Sequence, residues 1–310
     1  MARLLVLMTG GTLAQAARDG RMAQVRTLSG LLEEIETPHT LVPVELDLRA
    51  GADLAFTTAR SIASILEERA RDVDGAVILT GTDGLEELAF LLDVGLGVDL
   101  PVVLTGAMCP DDLPGRDGPA NLDDSLRTAA ATSTRDRGVL VVMNATIHAA
   151  RRLRKTDTGR RDAFLSDPGP VGEVRRGVPI FAGPPAPPDR PHRLTRISRW
   201  EGRVPILTVG IDLPFPHGLL DGIAGLVIAG PGTSSLPHAW RAALKAWTDR
   251  LPIALTSRCL TGPNVDEHTY RGSLARDEGD GFIVSEVVDL TPWQARLSLC
   301  LSLSDTETPS

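Results

Sequence analysis

The sequence predicts an α/β protein in which a larger N-terminal domain, built on a doubly wound, mostly parallel sheet, is followed by a smaller C-terminal α/β domain. Three observations predict it. Short apolar, β-branched runs recur along the chain, several without polar alternation, as expected of strands covered on both faces. Between them lie segments with apolar residues at i, i+3 and i+4, the period of a helix with one buried face. A proline-rich stretch without period interrupts the alternation once. Strands alternating with helices are the pattern of a parallel sheet joined by crossover helices.

In chain order, strands are expected from Leu4 to Met8, Gly75 to Thr80, Pro101 to Ala107 and Val139 to Met143. Phe56, Ala59, Ile62, Ala63, Leu66 and Ala70 mark a helix before the second of these, and LEELAFLL marks one after it. The stretch 183–203, opening on GPPAPPDRP, reads as a semi-rigid linker. That sets the expected domains at 1–182 and 204–310. The second contains strands from Ile206 to Gly210, Leu226 to Ala229 and Pro252 to Thr256, with a helix on Leu236, Ala239, Trp240, Ala243, Leu244 and Trp247. A last helix is expected to begin at Thr291 as N-cap, with Pro292 as its first helical residue.

The chain has 310 residues, enough to bury about three quarters of its unfolded surface. With 32 basic against 40 acidic residues the net charge is −8, which disfavours nucleic acid and anionic membrane as partners. No apolar run approaches the roughly 18 residues of a membrane span, and the run from Leu4 to Met8 is too short for a signal peptide, so a cytoplasmic protein is expected. Cys109, Cys259 and Cys300 form no C-x-x-C and read as reduced thiols. Only two of the basic residues, Lys155 and Lys245, are lysines. Arginine holds its proton under all ordinary conditions, whereas lysine can release one, so each lysine is a candidate for chemistry.

In an open parallel sheet, ligand sites lie at the carboxyl ends of the strands. After the first strand stands Thr9-Gly10-Gly11-Thr12, and after the second Gly81-Thr82-Asp83-Gly84; in each, glycines let the backbone approach a ligand beside a hydroxyl. Every one of these residues has a plainer alternative. Thr12 also reads as the cap of a turn, and Asp83 with Glu86 three residues on has the spacing of a capping box. Lys155 sits in a basic run, RLRK, that could be solvated, and Asn144 and His148 could satisfy a loop backbone. Other chemistries find no support: there is no phosphate-binding G-x-x-x-x-G-K-[ST], no G-x-S-x-G elbow, and the six histidines form no metal-binding pair.

LLVLMTGGTLA, GAVILTGTDGLEELAFLLD, PVVLTGAMCPDDLPGRDGPANL and RGVLVVMNATIHAARRLRKTDT resemble, in order and spacing, the bacterial L-asparaginase/glutaminase family. The resemblance runs to about residue 175 and continues more loosely through VPILTVG, AGLVIAGPGTSSLP and PIALTSRC. It implies two α/β domains, a homodimer or homotetramer with active sites between subunits, a small-molecule amide substrate and no metal or organic cofactor. It further implies that Thr12 is the nucleophile and that Thr82, Asp83 and Lys155 form the second catalytic group. The substrate would lie against Gly11, Gly51, Ala52, Gly81, Thr82 and Asp83. Hydrolysis of a side-chain amide through an acyl-enzyme needs a nucleophile, a proton acceptor and donors to the developing oxyanion.

Two departures from the family pattern stand out. The loop from Leu13 to Arg26 carries no tyrosine where the family has one, the single tyrosine of the chain being Tyr270; Arg18 or Arg21 are the lid residues able to contact a substrate instead. Gly51 and Ala52 fall where the family has a Ser and a Gln that grip the substrate's α-carboxylate, a loss of about 1.5–3 kcal/mol for each hydrogen bond unless backbone N–H groups or Arg49 compensate. Gly51 is also expected to leave room for a larger substrate. The expectation is therefore an asparagine amidohydrolase. Its rivals are the same chemistry on glutamine, a D-amino-acid amide or an asparaginyl peptide, and a weakly active amino-acid-binding protein.

Overall fold

The computed structural model describes the chain apart from residues 12–14, 19–20, 25, 47–50 and 307–310; for 15–18, 21–24 and 306 it describes the backbone alone. Two compact units divide the chain, Met1–Thr195 and Arg196–Ser310.

The first unit runs through β1 (Arg3–Met8), β2 (Gln15–Arg18), β3 (Arg21–Gln24), α1 (Leu28–Leu32), β4 (Thr40–Glu45), α2 (Phe56–Arg69), β5 (Gly75–Leu79), α3 (Leu85–Gly95) and β6 (Val102–Thr105). It continues with α4 (Gly118–Ala130), β7 (Val139–Met143), β8 (Thr146–Ala149), β9 (Leu153–Lys155), β10 (Phe164–Ser166), β11 (Gly172–Arg175) and β12 (Val178–Phe181). Eight strands form one sheet in the order β12-β11-β8-β7-β6-β5-β1-β4. From β7 to β4 every pairing is parallel, as the sequence predicts.

These strands are apolar throughout because both faces are covered. Leu4, Val6, Met8, Val77, Leu79, Val103, Leu140 and Val142 join one core with Leu122, Leu126 and Ala129 of α4. The alternate residues Leu5, Leu7, Ile78 and Leu104 are equally buried on the other face. Phe56, Ala59, Ile62, Ala63 and Leu66 form the buried stripe of α2, as their spacing predicts.

Chain order reverses around β1: β4 lies on one side of it, and β5, β6 and β7 follow in turn on the other. In open α/β sheets such a switch point is where ligands bind, beyond the carboxyl ends of the strands, here β1 and β5. Strands β8, β11 and β12 extend the sheet antiparallel, and β9 pairs with β10 in a separate short hairpin.

The linker expected at 183–203 is divided at Thr195, and its first half is fastened to the first unit. Arg190 donates to Val98 O (2.6 Å), Arg193 to Leu96 O (3.0 Å) and Thr195 to Glu67 Oε2 (3.0 Å), while Leu194 is fully buried. Prolines remove the period of helix or strand, but side-chain bonds to carbonyls need no period.

The second unit contains β13 (Ile197–Arg199), β14 (Ile206–Thr208), β15 (Leu226–Gly230), α5 (His238–Lys245), β16 (Ile253–Ser257), α6 (Ser273–Gly279), α7 (Pro292–Leu303) and β17 (Asp305–Thr306). Strands β14, β15 and β16 are parallel neighbours. Trp240 and Leu244 of α5 cover one face; Ala295, Leu299 and Cys300 of α7 cover the other. Helix α7 begins as expected: Thr291 Oγ1 accepts from Gln294 N (3.1 Å) and Gln294 Oε1 accepts from Thr291 N (3.1 Å). Among the described residues no helix is long and apolar enough to cross a membrane.

Candidate active site

A row of buried threonines closes the strand ends at the switch point. Thr9 N donates to Leu79 O (2.9 Å), Thr80 N to Thr105 O (2.9 Å) and Thr9 Oγ1 to Thr80 Oγ1 (2.9 Å). Thr105 Oγ1 donates to Val142 O (2.7 Å). With every one of these hydroxyls bonded, β1, β5, β6 and β7 end at one level and the turns beyond them start from a fixed edge.

Those turns then come together closely enough that only glycine fits. A Cβ on Gly11 would stand 2.6 Å from Gly81 N, and one on Gly81 would stand 2.6 Å from Gly51 Cα. Gly11 also has φ +105°, a region that side chains disfavour. The glycines of the first and second strand ends, which the sequence places apart, meet at one point together with Gly51.

At Gly51 the structure corrects an expectation. Its Cβ direction ends 3.1 Å from Gly81 C and 3.2 Å from Asp83 N, so the backbone of the 81–83 turn occupies the space a side chain would take. The glycine permits packing of one turn against another and leaves no room there for a larger substrate. Ala52, beside it, is exposed and offers no polar side-chain atom.

Thr82 is buried at the start of the turn leading into α3, and Asp83 follows with a side chain 67% exposed. Lys155 arrives from β9, its side chain 16% exposed. Lys155 Nζ donates to Thr82 Oγ1 (3.0 Å) and to Asp83 Oδ1 (2.7 Å). Residues 72 positions apart or more thus form one hydroxyl–ammonium–carboxylate cluster at the switch point. An ion pair with one partner this exposed adds little stability, about 1 kcal/mol or less, so the cluster is not explained as a stabilising device.

The capping-box alternative for Asp83 does not hold. The N-cap of α3 is Gly84, without a side-chain cap. Glu86 turns its carboxylate to Lys155 instead, Oε2 accepting from Lys155 N at 2.7 Å. Burial raises the Glu86 carboxyl above its ordinary range, opposed by that backbone N–H. From the sequence Glu86 is visible only as a capping partner of Asp83, and the one signal for this contact is its position one helical turn beyond Thr82.

His148 follows its plainer alternative. It is buried on β8 with Nδ1 2.7 Å from Ser166 Oγ, and burial lowers its pKa to about 4. Asn144 has φ +50° and donates its backbone N–H to Asn121 Oδ1 (2.9 Å), a loop contact as well. Thr12 lies outside the described residues, as do Arg49 and the side chains of Arg18 and Arg21. Cys109, Cys259 and Cys300 are free thiols. Among the described residues no group of three His, Cys, Asp or Glu side chains is placed to hold a metal ion.

A threonine hydroxyl held by a lysine at the carboxyl edge of a parallel sheet has the groups that hydroxyl-based catalysis requires. Comparison with known proteins makes the class specific. Sequence models of the family match residues 3–186 as "Asparaginase, N-terminal" and residues 208–310 as "Glutaminase/Asparaginase C-terminal domain". The chain belongs to the asparaginase family. It is 35% identical to a probable L-asparaginase of Deinococcus radiodurans, over 98% of this chain and 94% of that one. A probable periplasmic L-asparaginase of Haemophilus influenzae is 28% identical over 100% of this chain and 90% of its own. The crystal structure of a probable cytoplasmic L-asparaginase from Campylobacter jejuni superposes with a TM-score of 0.83 at 27% identity, covering 98% of this chain and 95% of that one.

Proposed function

We propose that this chain hydrolyses the side-chain amide of L-asparagine to L-aspartate and ammonia. The observation that carries the reading is the Lys155 Nζ bridge between Thr82 Oγ1 (3.0 Å) and Asp83 Oδ1 (2.7 Å), in a chain of this family. In this mechanism the Thr12 hydroxyl attacks the amide carbon, the C–N bond breaks, and ammonia leaves with the proton that the hydroxyl gave up. Water then attacks the resulting ester, releasing aspartate and restoring Thr12. Both steps move protons, and Thr82 with Lys155 forms a path of hydrogen-bond length for them. Asp83, its carboxylate largely exposed beside the lysine, supplies an acceptor for the substrate's ammonium group.

The Gly11, Gly51 and Gly81 contacts support the reading in a second way, because turns that touch backbone to backbone hold Thr82 and Asp83 without slack. The same reading takes the protein to be a cytoplasmic homodimer or homotetramer with sites between subunits. The Campylobacter relative's name supports the location, while the Haemophilus relative is named for the periplasm. Ammonia release measured in the wild type, Thr12→Ala and Thr82→Ala tests the proposal. Turnover lost in both variants, with circular dichroism unchanged, is the expected result. Activity retained in either variant would overturn the assignment of that residue.

A further inference from the structure

We infer that Glu86 is a positioning residue: by accepting the main-chain N–H of Lys155, it holds the β9–β10 hairpin at the spacing that lets the lysine reach Thr82. The inference rests on the amidohydrolase reading for its consequence in catalysis, and on geometry alone for the anchoring.

The need for an anchor follows from how Lys155 is presented. It ends a three-residue strand whose described partner is another strand of three residues, outside the main sheet. In that pairing Thr156 N donates to Ala163 O (2.7 Å), and because successive N–H groups of a strand point to opposite sides, the N–H of Lys155 faces away from β10. It lies on the free side of the hairpin. There Glu86 Oε2 meets it at 2.7 Å. At the β10 side, Ser166 Oγ lies 2.7 Å from His148 Nδ1 of the main sheet.

What distinguishes the Glu86 contact is where its two ends lead. Glu86 stands in the first turn of α3, three residues beyond Asp83 and four beyond Thr82. One hydrogen bond therefore fixes the backbone of Lys155 to the helix whose start carries both groups that the lysine's Nζ engages. The lysine is held at its backbone and at its tip by residues of the same short segment. A side chain with four rotatable bonds reaches two acceptors in a defined geometry only if its Cα is also placed, and Glu86 places it. No side chain makes a cap hydrogen bond at the start of α3, whose N-cap is a glycine, and the bonded oxygen of Glu86 faces Lys155.

Three variants test this. Glu86→Gln keeps an acceptor at the same reach, Glu86→Leu keeps bulk without an acceptor, and Glu86→Asp withdraws the carboxylate by one methylene with the smallest risk to folding. Hydrogen-exchange mass spectrometry of the peptide spanning residues 150–158 reads the anchor without reference to any substrate, and kcat and KM for ammonia release from L-asparagine read its consequence. The expected result is exchange about tenfold faster in Glu86→Leu and Glu86→Asp but not in Glu86→Gln. With it, kcat falls about 100-fold in Glu86→Leu while KM stays within about threefold, and Glu86→Gln restores kcat. Unchanged exchange in Glu86→Asp, or in Glu86→Leu where that variant folds, would overturn the anchoring. Equal loss in Glu86→Gln and Glu86→Leu would overturn the acceptor role. If the wild type releases no ammonia, the amidohydrolase reading fails, and the exchange measurement still decides whether Glu86 holds the hairpin.

Discussion

Replacing Gly81 by alanine puts the convergence of the turns to a quantitative test. The added methyl would stand 2.6 Å from Gly51 Cα and 2.8 Å from Gly51 N, about 1 Å inside ordinary contact with backbone atoms that have no rotamer to change. Overpacking of this kind costs about 1–3 kcal/mol. Gly81 does not occupy the positive-φ region, so alanine also restricts the unfolded chain and returns about 0.4–1 kcal/mol. The net expectation is a loss centred at about 1.3 kcal/mol, which in a unit of this size lowers the thermal midpoint by roughly 3–5 °C. Relief of the clash must separate the 51–53 turn from the 80–83 turn, which moves Thr82, 3.0 Å from Lys155 Nζ. A displacement near 1 Å costs about 100-fold in rate. Gly159→Ala is the control, because its Cβ would meet nothing within 4 Å. Circular dichroism melts and ammonia release are compared across the two variants and wild type. Gly81→Ala indistinguishable from Gly159→Ala in both assays would refute the argument that close backbone contact shapes the site.

The remaining predictions concern pH and capping. Burial lowers His148 to about 4, below its unfolded value near 6.5, so its contribution to stability is complete above pH 6.5 and is lost as pH falls toward 4; the gap is worth about 3 kcal/mol. Thermal midpoints from pH 7 to 4.5 should fall in wild type and fall less in His148→Gln; parallel curves would contradict this. Asp124 shifts the opposite way, raised to about 6 first by burial and then by Asp123, so its contribution is present at low pH and is lost as pH rises through 6. Asp124→Asn should therefore raise the midpoint at pH 8 and leave it unchanged near pH 4, and an equal change at both would contradict the shift. Thr291→Ala removes the acceptor for Gln294 N at the start of α7 and should cost about 1 kcal/mol, read as a lower denaturant midpoint; no change would mean the cap carries no stability.

The parts of this protein legible in its sequence are those where one residue's neighbours along the chain determine its environment. Strands such as GAVIL and VLVVM are buried on both faces and announce themselves as unbroken apolar runs, and Thr291-Pro292 announces a helix start. The β8 to β12 region did not announce itself: its strands are three or four residues long, several half exposed, and Arg176 and Gly177 turn β11 into β12 with positive φ. Gly51 read as open space because sequence carries no direction for a Cβ; only the fold shows that direction filled by Gly81 and Asp83. Glu86 read as a cap because its true partner, Lys155, lies 69 residues away. Thr82, Asp83 and Lys155 were legible through resemblance, and the structure adds the two distances that make them one cluster.

The central claim is that the Lys155 bridge to Thr82 and Asp83 serves amide hydrolysis. The direct measurement is ammonia release from L-asparagine, L-glutamine and D-asparagine by wild type beside Lys155→Met, with melting curves recorded for both. Turnover of L-asparagine by wild type, reduced about 100- to 10,000-fold in a folded Lys155→Met, is the predicted result. Turnover undiminished in Lys155→Met, or absent from wild type on all three amides, would contradict it.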